Sequence, residues 1–485
     1  MRLNQKKRIL NLITSMDDGL RYSRTSEIEL AAGMLDNCLY CLNFLLDLLK
    51  EEPRIVLKLQ QAQRTVETML EFANIGRIDG QRITETEQIM RLVRDHVVHD
   101  LKTEIEIAFF PYKSSMWDCM DSIYRTAAQD PDCVCYVVPI PYFEKNSEGQ
   151  IVRYFYEGNQ FPGDVPVVPF DLYNFEDRCP DIIYFHNPYD EYNTLTSVHP
   201  RFYSNKLAEA TEMLVYVPYY VAGSSEKLDL IKLPAYDRSH HIIAQSEINK
   251  QSYVHAGIPD EKVLVLGSPK IDAALKAART ERYLPKAWRT LKEARLVFLL
   301  NTGIADLLAA NDWIGQLEKS LHYFIENSEF GLIWRPHPLT DTTITTMRPG
   351  IRERFDRLVR QAHECDNIQI DQGSDAYPAI IASDALISDY SSILLQYITT
   401  GKPVLGLLSS NMLDESRHYH SDYRSCYFEC EGISLRDFIH IVETKDEKKE
   451  KRMSAFHQSL AHADGTAGET IHRHLKNVIN LTKSR

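Results

Sequence analysis

The apolar positions of the first hundred residues follow a helical period. Ile28, Ala31, Leu35, Cys38, Leu42, Leu45 and Leu49 recur at alternating spacings of three and four, which puts them on one helix face. Pro53 stands just past the last of them, where it suits a helix end. Two more helical patterns cover roughly 55–72 and 84–101. Together they predict a small helical bundle over residues 1–102. The other uses of such a stripe are a contact between copies of the chain, giving a homo-oligomer, or a membrane-surface element. The stripe lacks a basic polar face, which counts against the membrane version.

From there the pattern changes to short β-type runs separated by helix-type stretches. The first series is Glu104–Phe110, Cys133–Ile140, Asp181–Phe185, Met213–Pro218, His241–Ala244 and Val263–Leu266. A charged stretch, Lys276–Arg295, precedes a second series: Leu296–Leu300, Gly331–Trp334, Ile368–Ile370, Ala385–Ile387 and Pro403–Gly406. Strands alternating with helices predict α/β halves built on parallel sheets. The expected domains are 103–279, 280–425 and, returning to helix, 426–485. In open α/β sheets ligands sit beyond the carboxyl ends of the strands, so the chemistry is expected just after them.

Composition narrows the classes. At 485 residues the chain exceeds a single core. Its net charge of −13 argues against general nucleic-acid binding, which needs a basic surface. No apolar run reaches the ~18 residues of a membrane span, and the N-terminus lacks a signal-peptide core, so a cytoplasmic protein is expected. Among nine cysteines the close pairs are Cys38–Cys41, Cys133–Cys135 and Cys426–Cys430. They do not form a zinc framework, so no metal site is expected. Walker, His-Glu-x-x-His and nucleophile-elbow motifs are absent.

Four segments carry candidate chemistry. In Ser388-Asp389-Tyr390-Ser391-Ser392 a strand gives way to small polar residues and a new helix. Such a turn offers backbone N–H groups and the positive end of a helix dipole to an anion, although two serines also make ordinary N-caps. In Arg335-Pro336-His337-Pro338 the prolines stiffen the loop, Arg335 can fork to phosphate oxygens, and His337 has a proton to give near neutral pH. His186 follows a strand and is expected to face the cleft as a general base, with Asp190 or Glu191 to orient it. His199 is a weaker candidate. In Gly267-Ser268-Pro269-Lys270-Ile271-Asp272, Lys270 is either a phosphate partner or part of a structural hinge.

Taken in order, these segments resemble the CDP-glycerol glycerophosphotransferase family of teichoic-acid type polymer synthesis. The resemblance rests on Arg335-Pro336-His337-Pro338, Ser383-Asp384-Ala385-Leu386-Ile387-Ser388-Asp389-Tyr390-Ser391-Ser392 and Lys402-Pro403-Val404, with a looser match at Gly267–Asp272. It covers residues 184–405 and implies a GT-B fold of two facing Rossmann-like domains. It implies transfer of glycerol phosphate, or a related polyol phosphate, from a CDP-alcohol to an acceptor hydroxyl with release of CMP. It gives His337, Ser391 and Ser392, with Arg335, Asp389 and Lys270, to the donor phosphates, and a first-domain histidine, here His186, to the base. CDP-glycerol is then a donor substrate and no cofactor is implied. The acceptor is a polyol-phosphate or glycan chain, in this family often lipid-linked at the inner membrane face.

The chain departs from the family in three places. The usual His-Gly-Thr is His186-Asn187-Pro188, the usual Pro-Thr-x-Arg is Asn301-Thr302-Gly303-Ile304, and an acidic residue suited to ribose hydroxyls is Gln396. These leave a second expectation standing, a GT-B glycosyltransferase using a sugar nucleotide for capsule or envelope glycans. A third is a silent scaffold that binds partners through the N-terminal helices.

Overall fold

The computed structural model describes residues 1–146, 148–221, 232–309, 312–389, 391–407, 427–429 and 432–482. The side chain of Ser392, together with Tyr390, Cys426, Cys430 and the expected boundary at 425, lies outside the described residues. The chain forms two compact units.

The first unit, residues 1–107, 130–134 and 178–181, contains an N-terminal helical bundle. Helices α1 (Leu3–Thr25), α2 (Ile28–Leu48), α3 (Pro53–Asn74) and α4 (Gly80–His99) make it up. The α2 stripe buries Ala31, and packs Leu35, Cys38, Leu42 and Leu45 in one cluster with Ile13, Met16 and Leu20 of α1 and Leu59 and Val66 of α3. Each of these leucines contributes about 1.5–3 kcal/mol on burial. Pro53 begins α3 rather than simply ending α2. Its missing N–H is no loss in a first turn, where that donor has no helical partner. Asp79 caps α4 by accepting from the N–H groups of Gln81 and Arg82.

The second unit holds the α/β halves apart from residues 105–107 and 133–134. The first half uses β1 (Ile105–Phe110), β2 (Cys133–Val137), β5 (Ile182–Phe185), β7 (Met213–Tyr216), β8 (His241–Ala244) and β9 (Val263–Val265). They lie in the order β2-β1-β5-β7-β8-β9. The second half uses β10 (Val297–Thr302), β11 (Gly331–Pro336), β12 (Ile368–Ile370), β13 (Ala385–Ser388), β14 (Val404–Gly406) and β15 (Phe428–Glu429), in the order β12-β11-β10-β13-β14-β15. These six run parallel. Every residue of β1 and β10 is buried, as expected of sheets covered on both faces. Strand order reverses between β1 and β5 in one sheet and between β10 and β13 in the other, which is where such folds open a ligand crevice.

A third, antiparallel sheet is absent from the sequence expectations. It consists of β3 (Tyr142–Lys145), β4 (Ile151–Phe155) and β6 (Thr196–Val198), ordered β4-β3-β6. The β4 strand is exposed over nearly all its length, although four of its five residues, Ile151, Val152, Tyr154 and Phe155, are apolar or aromatic.

Two features tie the halves together. Gly267 has φ +88°, and a Cβ there would lie 2.5 Å from the Ala461 carbonyl oxygen. The helix Ala467–Thr482 then returns to pack on helix Asp121–Gln129 of the first half. Asp272 caps its start, accepting from Ala467 N (3.2 Å) and Gly468 N (2.8 Å). Lys402, in the family-like Lys402-Pro403-Val404, donates to the carbonyls of Ile380 (3.2 Å), Ile381 (3.4 Å) and Ser383 (2.5 Å) and so closes the end of helix Tyr377–Ala382. Among the described residues no helix is long and apolar enough to cross a membrane.

Candidate active site

The carboxyl ends of β10, β11 and β13 meet at one edge. Asn301 is in register with Arg335 on one side and Ser388 on the other. Its side-chain Nδ2 donates to Ser388 Oγ (2.9 Å) and Ser391 Oγ (3.0 Å). Ser391 stands at the N-cap position of helix Ser392–Ile398 without making a capping bond. Its hydroxyl is held by Asn301 instead, so the plain-cap reading does not describe its side chain.

Asp389 turns inward. Its carboxylate is fully buried and accepts from Gly303 N–H. Burial first, then the nearby Asp306 charge, raise its pKa well above the carboxylate range. A Cβ on Gly303 would meet Asp389 Oδ1 at 2.9 Å, which gives the glycine of Asn301-Thr302-Gly303 a steric reason. Asp389 therefore supports the β10 and β13 ends; it is not the direct phosphate contact expected from the sequence.

His337 follows β11, with its N–H donating to Thr302 O (2.9 Å). Its Nδ1 accepts from Leu339 N (3.1 Å), which puts the ring proton on Nε2. Partial burial, Arg335 and Lys113 lower its pKa and keep it neutral. Arg335 Nη1 is engaged by Asp371 Oδ2 (2.5 Å) and the Asp375 carbonyl (3.2 Å). Much of the fork expected for phosphate is thus turned on its own half.

His186 departs further from expectation. The ring is fully buried rather than facing the cleft. Its Nε2 accepts from Tyr112 N (3.0 Å), and Nδ1 lies 3.4 Å from Cys119 Sγ. Burial, with the charges of Lys270 and Lys113, pushes its pKa down to about 3. A neutral ring with both nitrogens occupied holds backbone in place; it is poorly set to take a proton from an acceptor. Asp190 does not orient it. That carboxylate accepts from Ser204 N (2.9 Å) and Oγ (2.6 Å) and pairs with Arg238 at 3.4 Å. His199 stacks on Phe143 and accepts from Arg201 N, a local structural role.

A cleft of about 740 Å³ opens between the halves. Ser114, Asp118, Lys270, Ser374, Tyr377 and Gln396 are among its lining residues, so two of the sequence-nominated residues, Lys270 and Gln396, reach it. Lys270 Nζ donates to Asp118 Oδ2 (2.6 Å), and Tyr377 Oη from the second half donates to the same oxygen (2.8 Å). Asp118 and Tyr377 were not visible as site residues in the sequence, because neither lies in a motif and their meeting depends on how the halves pack.

No curated protein was found to match the sequence. Among solved structures, the S. aureus MnaA–UDP complex is 15% identical with a TM-score of 0.50, covering 78% of this chain and 97% of its own. That likeness is one of fold. The wall teichoic acid polymerase TagF is 16% identical with a TM-score of 0.48, covering 83% of this chain and 97% of its own. The family model for CDP-glycerol:poly(glycerophosphate) glycerophosphotransferases matches residues 220–477, a span that takes in Lys270, Arg335, His337, Ser391 and Gln396. With that match over more than half its length, on an α/β GT-B-like fold, the chain is a transferase that belongs to the CDP-glycerol:poly(glycerophosphate) glycerophosphotransferase family.

Proposed function

We propose that the chain transfers glycerol phosphate to the terminal hydroxyl of a polyol-phosphate or glycan acceptor in cell-envelope polymer synthesis, acting peripherally on a lipid-linked acceptor at the inner membrane face. The acceptor oxygen attacks the glycerol-bearing phosphorus of CDP-glycerol. The bond from that phosphorus to the bridging oxygen breaks, CMP leaves, and the hydroxyl proton is released. No cofactor beyond the donor is invoked.

The observation that carries this reading is His337. With Nδ1 used by Leu339 N, its Nε2–H is a neutral donor at the carboxyl end of β11, suited to a phosphate oxygen. Ser391, fixed by Asn301 at the end of β13, adds a second polar group beside the same sheet edge. Preorganised donors of this kind are usually the largest catalytic term. Lys270 from the first half and Gln396 from the second, both lining the cleft, are assigned to the donor, and His186 to holding the turn after β1.

A second reading, transfer of a sugar from a sugar nucleotide, draws on Gln396, an amide lining the cleft where the family pattern has a carboxylate. Thermal-shift measurements with CDP-glycerol, CDP-ribitol, UDP-sugars and CMP-sugars separate the two. Stabilisation by a CDP-alcohol is expected; stabilisation by UDP-sugars alone sinks the glycerol phosphate reading.

A further inference from the structure

The cations nominated from the sequence are largely neutralised at home. Arg335 pairs with Asp371 at 2.5 Å, and Lys270 with Asp118 at 2.6 Å. Lys113 is different. It lies just past the carboxyl end of β1, at the point where strand order in the first sheet reverses. Among the described residues no carboxylate forms an ion pair with its ammonium. Of the two carboxylates whose charges it feels, Glu157 and Glu144, Glu157 is already occupied: it accepts from Ser114 N (2.8 Å), Ser114 Oγ (3.0 Å) and Tyr142 Oη (2.7 Å).

Two aromatic rings hold the ammonium in place, Tyr112 at 5.6 Å and Tyr142 at 5.1 Å from ring centroid to Nζ. Such contacts orient a cation without cancelling its charge. The backbone beneath it is fixed as well, because the neighbouring Tyr112 N–H donates to buried His186 Nε2. The charge is felt in both halves: it helps depress His186 in the first and His337 in the second. Next along the chain, Ser114 and Ser115 line the cleft. A half-buried ammonium held by two rings, with no ion-pair partner among the described residues, can take an anion.

We propose that Lys113 is a substrate-contacting residue, the cation with which the first half grips the donor's diphosphate opposite His337. A lysine ammonium is a point charge well suited to a phosphoryl group whose charge grows as the bridging bond breaks. His186 is then a positioning residue that holds the Tyr112–Lys113 turn. The assignment deepens the CDP-glycerol reading and rests on it for the identity of the donor.

The test uses the full chain and its Lys113→Met and Lys113→Arg variants. CMP release from CDP-glycerol with a glycerol-phosphate oligomer is measured, and binding of inorganic pyrophosphate is measured by calorimetry. Methionine keeps the packing on Tyr112 and Tyr142 and removes the charge. Lys113→Met should lower kcat/KM by about 100-fold, and Lys113→Arg should keep at least about a tenth of the activity. Pyrophosphate should bind about tenfold more weakly to Lys113→Met. If wild type turns over and Lys113→Met stays within about threefold of it in kcat/KM, the proposal is overturned. If wild type releases no CMP, the donor reading fails, and pyrophosphate alone decides on Lys113: weaker binding by the variant supports it, while equal binding or none by wild type overturns it. Should Lys113→Met melt early, Lys113→Gln replaces it in both assays.

Discussion

Lys270 and Asp118 form a part-buried ion pair, 2.6 Å from Nζ to Oδ2, and Tyr377 from the opposite half donates to the same oxygen at 2.8 Å. Their side chains keep only 11% and 16% of their exposure, so the pair has little water to fall back on. Removing one partner strands the other. Asp118→Ala should cost about 3 kcal/mol, and Tyr377→Phe about 1–2 kcal/mol. Urea unfolding of both variants and of Asp118→Ala/Lys270→Met checks this. The double variant should recover part of the loss; strictly additive costs would remove the coupling argued here.

His337→Ala should abolish most CMP release while leaving the fold intact. A lost donor to developing phosphate charge lowers kcat by about 10²–10³. The half-exposed ring contributes one local bond to Leu339, so Tm should stay within about 3 °C. A variant that releases CMP at the wild-type rate would put the phosphate grip elsewhere.

The buried His186 makes stability depend on pH. Its folded pKa is lowered to about 3, against ~6.5 for an exposed histidine. Between those values the unfolded chain holds a proton that the folded chain refuses. The contribution of His186 is therefore complete above about pH 6.5 and is lost as pH falls. At pH 5.5 the loss is about 1.4 kcal/mol. His186→Asn retains an acceptor for Tyr112 N but does not titrate. The stability gap between wild type and this variant should shift by that amount between pH 7.5 and 5.5, as read by urea unfolding; an unchanged gap would mean the ring charges in place.

Gly267→Ala should destabilise by about 2 kcal/mol or more. The site combines a left-handed φ of +88° with a backbone oxygen 2.5 Å from the added Cβ. Thermal unfolding decides it, and a loss below half a kcal/mol would show that the Ala461 segment yields easily.

The sequence made the donor half legible for a physical reason. Its strands are short apolar runs bounded by turn chemistry, and Ile368–Ile370 and Ala385–Ser388 appear almost where the hydrophobic pattern puts them. The end of β13 could be read as an anion turn from its residue types alone. What could not be read was which polar group faces which way. Asp389 looked like a ligand residue and turns to Gly303; His186 looked like a base and turns to Tyr112 N. Both depend on packing between segments far apart in the chain. Lys113 escaped notice because a lone lysine after a strand carries no motif, and its significance comes from the company of Tyr112, Tyr142 and two histidines. Lys402 shows the reverse: a residue within a recognisable motif that caps a helix.

The return of helix Ala467–Thr482 to the first half bears on how the molecule is made. Asp272 and helix Asp121–Gln129 receive Ala467, Gly468 and the helix behind them, whose Ile471 and Leu475 are fully buried. Synthesis proceeds from the N-terminus, and domains tend to fold as they emerge. The donor half, spanning Val297 to Phe428 in its strands, is therefore complete while the earlier half still waits for its covering helix. The half that is translated first is finished last, so a nascent chain stalled before residue 467 would expose an apolar surface to chaperones even with both sheets already formed.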